Sequence, residues 1–209
     1  MGRVAAVLLL IRHGQAEGNA QGRVMGQTDL PLTEAGRGQA AALGAWLQAR
    51  GIRFRAVYAS DLRRAADTAR ILSAACGGPL LLRPELRELG RGSVEGRTHA
   101  EAAELRRLPG VAESFEREDA VALRLARAGA ELRAAALEGP VAAVAHGGSI
   151  SRLLRLYLGL PLAARPGESG FSLDNTGLTV LDFRAGRTTL LCCNALYHLP
   201  PDALRWAVR

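Results

Sequence analysis

Two histidines and a few arginines are placed where this chain could do chemistry. Arg12-His13-Gly14 ends an apolar run over residues 4–11, and His146-Gly147-Gly148-Ser149 ends another over residues 141–145. Each run suits a buried strand and is too short to cross a membrane. In a parallel α/β sheet, ligands bind at the carboxyl ends of the strands. There Arg12 supplies a fixed positive fork and His13 a base or nucleophile near neutral pH. Gly14 is expected to let backbone N–H groups approach a ligand. This equipment suits holding and attacking a phosphoryl group. A third segment, Ser60-Asp61-Leu62-Arg63-Arg64, runs from a strand end into a helix N-terminus, where backbone donors and the dipole favour an anion. Metal ligation would call for a denser set of carboxylate, His or Cys ligands, so no metal is expected. His99 and His198 lack the strand-end setting and read as surface or structural histidines.

The elements that must position these residues alternate along the chain. After the first strand comes a glycine-rich, polar loop over residues 14–32. Thr33 then caps a helix reaching about Arg50, with Ala40, Leu43, Trp46 and Leu47 at helical spacing. A short strand is predicted at 56–59, a helix opened by Ser60 or Asp61 to about 75, and another buried strand at 80–82. Turns fill 84–97. Helical patterns follow around 99–107, from 116 to 137 and from 149 to 158, and a hairpin at 178–193 turns at Ala185-Gly186. With no repeat, linker or low-complexity tract, residues 1–209 read as one α/β domain with a mostly parallel sheet.

Composition narrows the function. All 27 basic residues are arginine and the net charge is +7, which removes a P-loop lysine and a Schiff-base lysine. Aromatics make up only 4% and the arginines are scattered, so the basic balance does not read as a nucleic-acid surface. Cys76, Cys192 and Cys193 form no CxxC pair, which implies neither a structural disulfide nor a zinc site and fits a reducing cytoplasm.

Taken in order, several segments resemble the histidine phosphatase superfamily. Arg12-His13-Gly14, with Asn19 and the run Gly26-Gln27-Thr28-Asp29-Leu30-Pro31-Leu32-Thr33, is similar to its signature. Ser60-Asp61-Leu62, Arg64-Ala65 and Thr68-Ala69 resemble its second motif, and Glu88 with Gly92, Glu95 and Gly96 its third. Val144-Ala145-His146-Gly147-Gly148 matches the fourth. Pro109-Gly110 with Glu113-Ser114, and later Asn175-Thr176-Gly177, extend the likeness loosely. The resemblance implies a three-layer α/β/α phosphoglycerate mutase-like fold with a short cap at roughly 98–118. It also implies His13 as nucleophile forming a phosphohistidine and Glu88 as general acid and then base. Arg12, Arg64 and His146 would hold the phosphoryl oxygens, with Asn19, Gly14, Gln27 and Gly147 completing the phosphate site. No cofactor is implied. Departures from the family pattern are Gln15 in place of glutamate, Gly18 and Val94 in place of aromatics, and Leu89-Gly90-Arg91 after Glu88. They lie beside the site and bear on substrate choice.

Mutases of this family carry a long insertion between the general acid and the second histidine. The 58 residues from Glu88 to His146 leave room for a thin cap only, which favours hydrolysis of a small phosphorylated metabolite by water. A cofactor-dependent phosphoglycerate mutase is the runner-up, and a non-catalytic phospho-ligand module the alternative of another class. Arg23, Arg91, Arg97 and His99 lie in loops that could reach the pocket mouth and meet a second negative charge. No nucleic-acid or membrane partner is expected. A homodimer through a sheet edge or through residues 196–209 is an open expectation.

Overall fold

Parallel pairing brings the two histidine-bearing strand ends side by side. The computed structural model describes residues 6–162 and 170–200. Its strands are β1 (Val7–Arg12), β2 (Ala56–Ala59), β3 (Leu80–Leu82), β4 (Val141–Ala145), β5 (Leu178–Asp182) and β6 (Thr189–Ala195). They form a six-stranded sheet in the order β3-β2-β4-β1-β5-β6. β3, β2, β4 and β1 run parallel, and only β5 runs against its neighbours on both sides. β4 has the sequence Val-Ala-Ala-Val-Ala and is buried at every position, as a central strand covered on both faces must be.

Alternation along β1 sends Leu8 and Leu10 to one face and Leu9 and Ile11 to the other, so each face builds its own core. α2 (Glu34–Ala49) and α3 (Arg63–Cys76) cover the Leu9/Ile11 face with Leu43, Leu47, Ala65, Ala69 and Leu72. α5 (Glu118–Leu137) and α6 (Gly147–Tyr157) cover the other with Val121, Leu125, Leu132, Ile150 and Leu153. These spacings of three and four residues are what a helix needs to present one apolar stripe. The three layers are therefore α/β/α.

Local starts differ from the sequence reading in ways that have causes. The 14–32 loop contains one short turn of helix, α1 (Glu17–Ala20). α3 begins at Arg63, because Leu62 is still extended and Asp29 Oδ1 accepts from the Arg63 N–H at 2.7 Å. α6 begins two residues early, at Gly147. β3 is an edge strand whose Leu82 is exposed, not a buried strand; its apolar run carried no periodicity to reveal this. Val4 and Ala5 of the first apolar run, and 201–209 of the proposed dimer segment, lie outside the described residues.

Residues 98–117 leave the main layers. Thr98 caps α4 (His99–Leu105) and a 3-10 turn follows at Ala112–Ser114. The segment has its own small cluster, in which Leu105, Val111 and Phe115 pack on Val24, Val94 and Ala102. Among the described residues no helix is long and apolar enough to cross a membrane.

One backbone approach fixes the β1 exit. A Cβ on Gly36 of α2 would lie 2.0 Å from Gln15 O, and one on Gly14 would lie 2.4 Å from Gly36 O. Neither backbone can yield to a methyl group, so Gly36→Ala is expected to destabilise the fold by about 1–3 kcal/mol. Thermal unfolding should show a Tm several degrees lower. An unchanged Tm would mean that the loop after β1 is free to move away from α2.

Candidate active site

Register sets the level at which the key side chains emerge. Arg12 pairs with Ala145, so His13 and His146 leave the sheet together, with their ring centroids 5.1 Å apart. Ala59 pairs with Val144 at the same height, which puts Arg64 in the first turn of α3 beside both rings. Leu82 pairs with Ala59, and the chain beyond β3 delivers Glu88 to the same edge. Four parallel strand ends thus converge on one place.

Both imidazoles have a tautomer dictated by their partners. His13 Nδ1 lies 2.7 Å from Gly14 O, and because a carbonyl can only accept, the proton sits on Nδ1. The lone pair of Nε2 is therefore available. The pKa of His13 is held well below the usual imidazole value, first by burial and then by Arg12 and Arg64. His146 Nδ1 accepts from Arg64 Nε at 3.2 Å, so its proton is on Nε2, a buried atom with no hydrogen-bond partner. Burial, then His13 and the arginines, lower its pKa as well. Both rings are neutral near pH 7.

Arg64 is 0% exposed, and among the described residues it forms no ion pair with a carboxylate. It donates to Gly26 O at 2.8 Å, Thr28 O at 2.7 Å and His146. Burial lowers its pKa, with Glu88 opposing. Arg12 Nη1 donates to Leu173 O at 2.5 Å. Glu88 faces this group from the N-terminus of α6. Its Oε1 accepts from Leu89 N at 2.9 Å and Ser149 N at 3.1 Å, and its Oε2 from Gly148 N at 2.9 Å. A Cβ on Gly148 would meet Oε1 at 2.4 Å, so the cradle exists only because that residue is glycine.

These groups open on a cavity of about 280 Å³. Arg12, His13, Asn19, Arg64, Glu88 and Gly147 line its floor, while Arg23, Arg91, His99 and Arg106 line the rest. Among the described residues, five arginines face one carboxylate. Asn19 Oδ1 is engaged by Ala16 N at 3.0 Å, which leaves its amide nitrogen for the cavity. His146 lies behind His13 and Arg64 and is not on the wall. Arg97 of the mouth expectation is not on it either, whereas Arg106 is.

Two sequence-predicted phosphate ligands are placed elsewhere. Gly14 donates its N–H to Thr68 Oγ1 at 3.0 Å and packs on Gly36, so its missing side chain serves helix packing rather than ligand approach. Gln27 turns its amide to Glu88 O at 3.1 Å and its backbone N–H to Glu95 Oε1 at 3.0 Å, supporting the loops behind the cavity. Neither residue lines it. Sequence reasoning also missed the support under His13. Asn175 Nδ2 donates to His13 O at 3.0 Å and lies 3.4 Å from Asn19 Oδ1. Thr176, at φ 57°, donates its N–H to Arg12 O at 3.0 Å. Its hydroxyl is 2.9 Å from His198 Nε2, and burial pushes the pKa of that histidine down to about 4. A non-glycine residue held in the left-handed region is a constrained one. Arg124 and Glu116 were missed too, although a charge at position 124 within the apolar stripe of α5 is a visible signal.

The tautomers and the lowered pKa values are measurable. Nitrogen-detected imidazole NMR should show neutral His13 with the proton on Nδ1 and neutral His146 with it on Nε2, both persisting below pH 6.5. Since the unfolded histidines gain protons at about pH 6.5 and the folded ones only lower, stability should fall as pH drops below that value. A folded-state titration of either ring near pH 6.5 would overturn this electrostatic picture.

Comparison with known proteins places the chain. The family model of the histidine phosphatase superfamily (branch 1) matches residues 8–196. A glucosyl-3-phosphoglycerate phosphatase of Mycolicibacterium vanbaalenii is 37% identical over 177 residues, covering 74% of this chain and 75% of that protein. A Photorhabdus laumondii protein named "Probable phosphoglycerate mutase GpmB" is 32% identical, covering 84% of each. Among solved structures, the mycobacterial glucosyl-3-phosphoglycerate phosphatase bound to inorganic phosphate has a TM-score of 0.74 at 33% identity, over 93% of this chain and 99% of that one. The alpha-ribazole phosphatase of Shigella flexneri has a TM-score of 0.78 at 28% identity, over 91% and 96%. With this fold and this extent of match, the chain belongs to the histidine phosphatase superfamily.

Proposed function

We propose that this enzyme hydrolyses phosphomonoesters of small metabolites through a phosphohistidine on His13. The observation that carries the reading is the neutral, buried His13 whose Nδ1–H is tied to Gly14 O, beside Arg12 and Arg64 and with the Glu88 carboxylate across the cavity. In the first step His13 Nε2 forms a bond to phosphorus as the ester P–O bond breaks, and Glu88, entering the step as the carboxylic acid, gives its proton to the departing alkoxide and is left as the carboxylate. In the second, water attacks the phosphohistidine, Glu88 takes its proton and the N–P bond breaks, releasing phosphate. Oε2 of Glu88 accepts one backbone bond where Oε1 accepts two, so it is the oxygen with room for the proton. Arg12 and Arg64 would hold the phosphoryl oxygens, with Asn19 and Gly147 beside them. The unpartnered Nε2–H of His146 is a further donor for an anion reaching that depth.

Hydrolysis is favoured over mutase action by the shortness of segment 98–117, which reaches the cavity through His99 and Arg106 and is too small to form a thick cover against water. The residue set offers an anion site and not a metal site: the one carboxylate on the wall already accepts three N–H bonds. The substrate reading follows from the mouth. Among the described residues Arg91 and Arg106 form no ion pair, and with His99 they suit a second anionic group. The glucosyl-3-phosphoglycerate phosphatase relative supports a phosphorylated sugar acid as the class. Three free cysteines fit a reducing compartment, and the cytoplasm is our proposal.

The test is phosphate release in EDTA from a panel of phosphomonoesters that includes 3-phosphoglycerate. Wild type should release phosphate and His13→Ala none. Loss of activity on chelation, or interconversion of phosphoglycerates without net release, would overturn the scheme. For the mouth, Arg106→Ala should raise KM for 3-phosphoglycerate about tenfold and leave KM for glycerol 2-phosphate unchanged, as removal of one charge-assisted contact predicts. Equal effects on both would discard the second anionic group.

A further inference from the structure

The stretch 85–90 that carries Glu88 belongs to no strand or helix beyond the 3-10 turn Pro84–Leu86, so its carbonyls have no backbone ladder to bond to. Arg124 bonds three of these carbonyls, while Gln27 Nε2 also reaches Glu88 O at 3.1 Å and Glu116 N reaches Gly90 O at 3.1 Å. Arg124 of α5 donates through Nη1 to Glu85 O at 2.7 Å and Arg87 O at 2.8 Å, and through Nη2 to Glu88 O at 3.2 Å. Its remaining donors form a two-point pair with Glu116, Nε to Oε1 at 2.6 Å and Nη2 to Oε2 at 2.8 Å. The same Oε2 accepts from Gly90 N at 3.0 Å. The Arg124 side chain is only 16% exposed and Glu116 18%, so water does not compete strongly for these bonds.

We propose that Arg124 is a positioning residue for Glu88, with Glu116 as its anchor. The proposal rests on the reading of Glu88 as general acid. The backbone of Glu88 is held by Arg124 from the α5 side and its carboxylate by the first turn of α6 from the other. An acid fixed at both ends keeps its oxygens at one height above the leaving-group side of the cavity. Arg124 does not line the cavity, and its hydrogen bonds reach the site through the backbone that carries Glu88. The planar fork is needed, since an ammonium cannot reach three carbonyls and bind a carboxylate at two points.

The readout is the leaving-group dependence of kcat/KM, which covers the steps up to departure of the alcohol. A p-nitrophenolate leaves without a proton, whereas the alkoxide of glycerol 2-phosphate needs one. Arg124→Met should lower kcat/KM on glycerol 2-phosphate about 100-fold and keep p-nitrophenyl phosphate within about 3-fold of wild type. Arg124→Lys should fall between. Glu88→Gln, measured alongside, should show the same asymmetry, and the double variant should lose little more than Glu88→Gln alone. Equal losses on both substrates in Arg124→Met, with asymmetry kept in Glu88→Gln, would overturn the positioning role and leave the acid in place. Equal losses in Glu88→Gln itself would remove the acid and this proposal together. Should Arg124→Met fail to fold, Glu116→Gln carries the same test with a smaller asymmetry of about 10-fold.

Discussion

A fully buried guanidinium that pairs with no carboxylate among the described residues is the constraint on which this site depends. Isolated buried charge is costly, and a protein normally relieves it by pairing. Arg64 is relieved only in part, by two carbonyls from the loop around residue 27 and by an imidazole nitrogen. Two further features follow from that choice. His146 must present an unprotonated Nδ1 to the guanidinium, which puts its proton on Nε2. His13, a few ångströms away, stays neutral first because it is buried and then because protonation would add a third positive charge beside Arg12 and Arg64. The arrangement concentrates positive charge, and the proposed phosphoryl group would bring an anion to it.

The loops around the cavity keep that unbalanced charge in place. The Gly26–Thr28 carbonyls that hold Arg64 belong to a loop whose N–H groups at Gln27 and Thr28 are clamped by Glu95, at 3.0 and 2.9 Å. Glu95 also takes Arg91 N at 2.7 Å, so one carboxylate ties the Arg64 cradle to the segment after Glu88. Asp61 pairs with Arg87 through two contacts and has its pKa lowered by them, fastening the start of α3 to the residue before Glu88. Glu95 and Asp61 thus serve the geometry of the cavity without pairing with Arg64 itself.

How much of this was legible beforehand divides along physical lines. The strand ends were visible because residues 4–11 and 141–145 are unbroken apolar runs that stop at a cation or an imidazole. A parallel sheet then makes the meeting of His13 and His146 a consequence of register. Glu88 was legible only through family resemblance, since its loop has no periodicity and three glutamates compete within it. A glycine after a strand announces a close backbone approach without saying to what, and the neighbour that Gly14 approaches is Gly36. Where Gln27 turns was not legible, because a primary amide in a loop can turn either way, and here it shares the Glu88 carbonyl with Arg124. The Arg124 clamp could have been suspected from a charge on an apolar stripe, but its targets are backbone carbonyls, which no pattern of side chains reveals.

The helix termini correct a more general expectation. The starts of α3 and α6 both abut the site, and both would ordinarily be ready-made anion holders. In this chain each is already occupied by a carboxylate of its own: Asp29 takes the Arg63 N–H of α3, and Glu88 takes the Gly148 and Ser149 N–H groups of α6. A phosphoryl group arriving in the cavity therefore finds the N–H groups of Arg63, Gly148 and Ser149 already engaged and is held mainly by side chains, with Gly147 beside them. That accounts for the concentration of guanidinium groups on the wall. It also gives the α6 terminus a different use, because dipole and N–H groups that would have bound the substrate instead hold the one carboxylate placed to exchange a proton with it. Helix and arginines divide the labour, and neither could take the other's part without giving up the acid or the anion site.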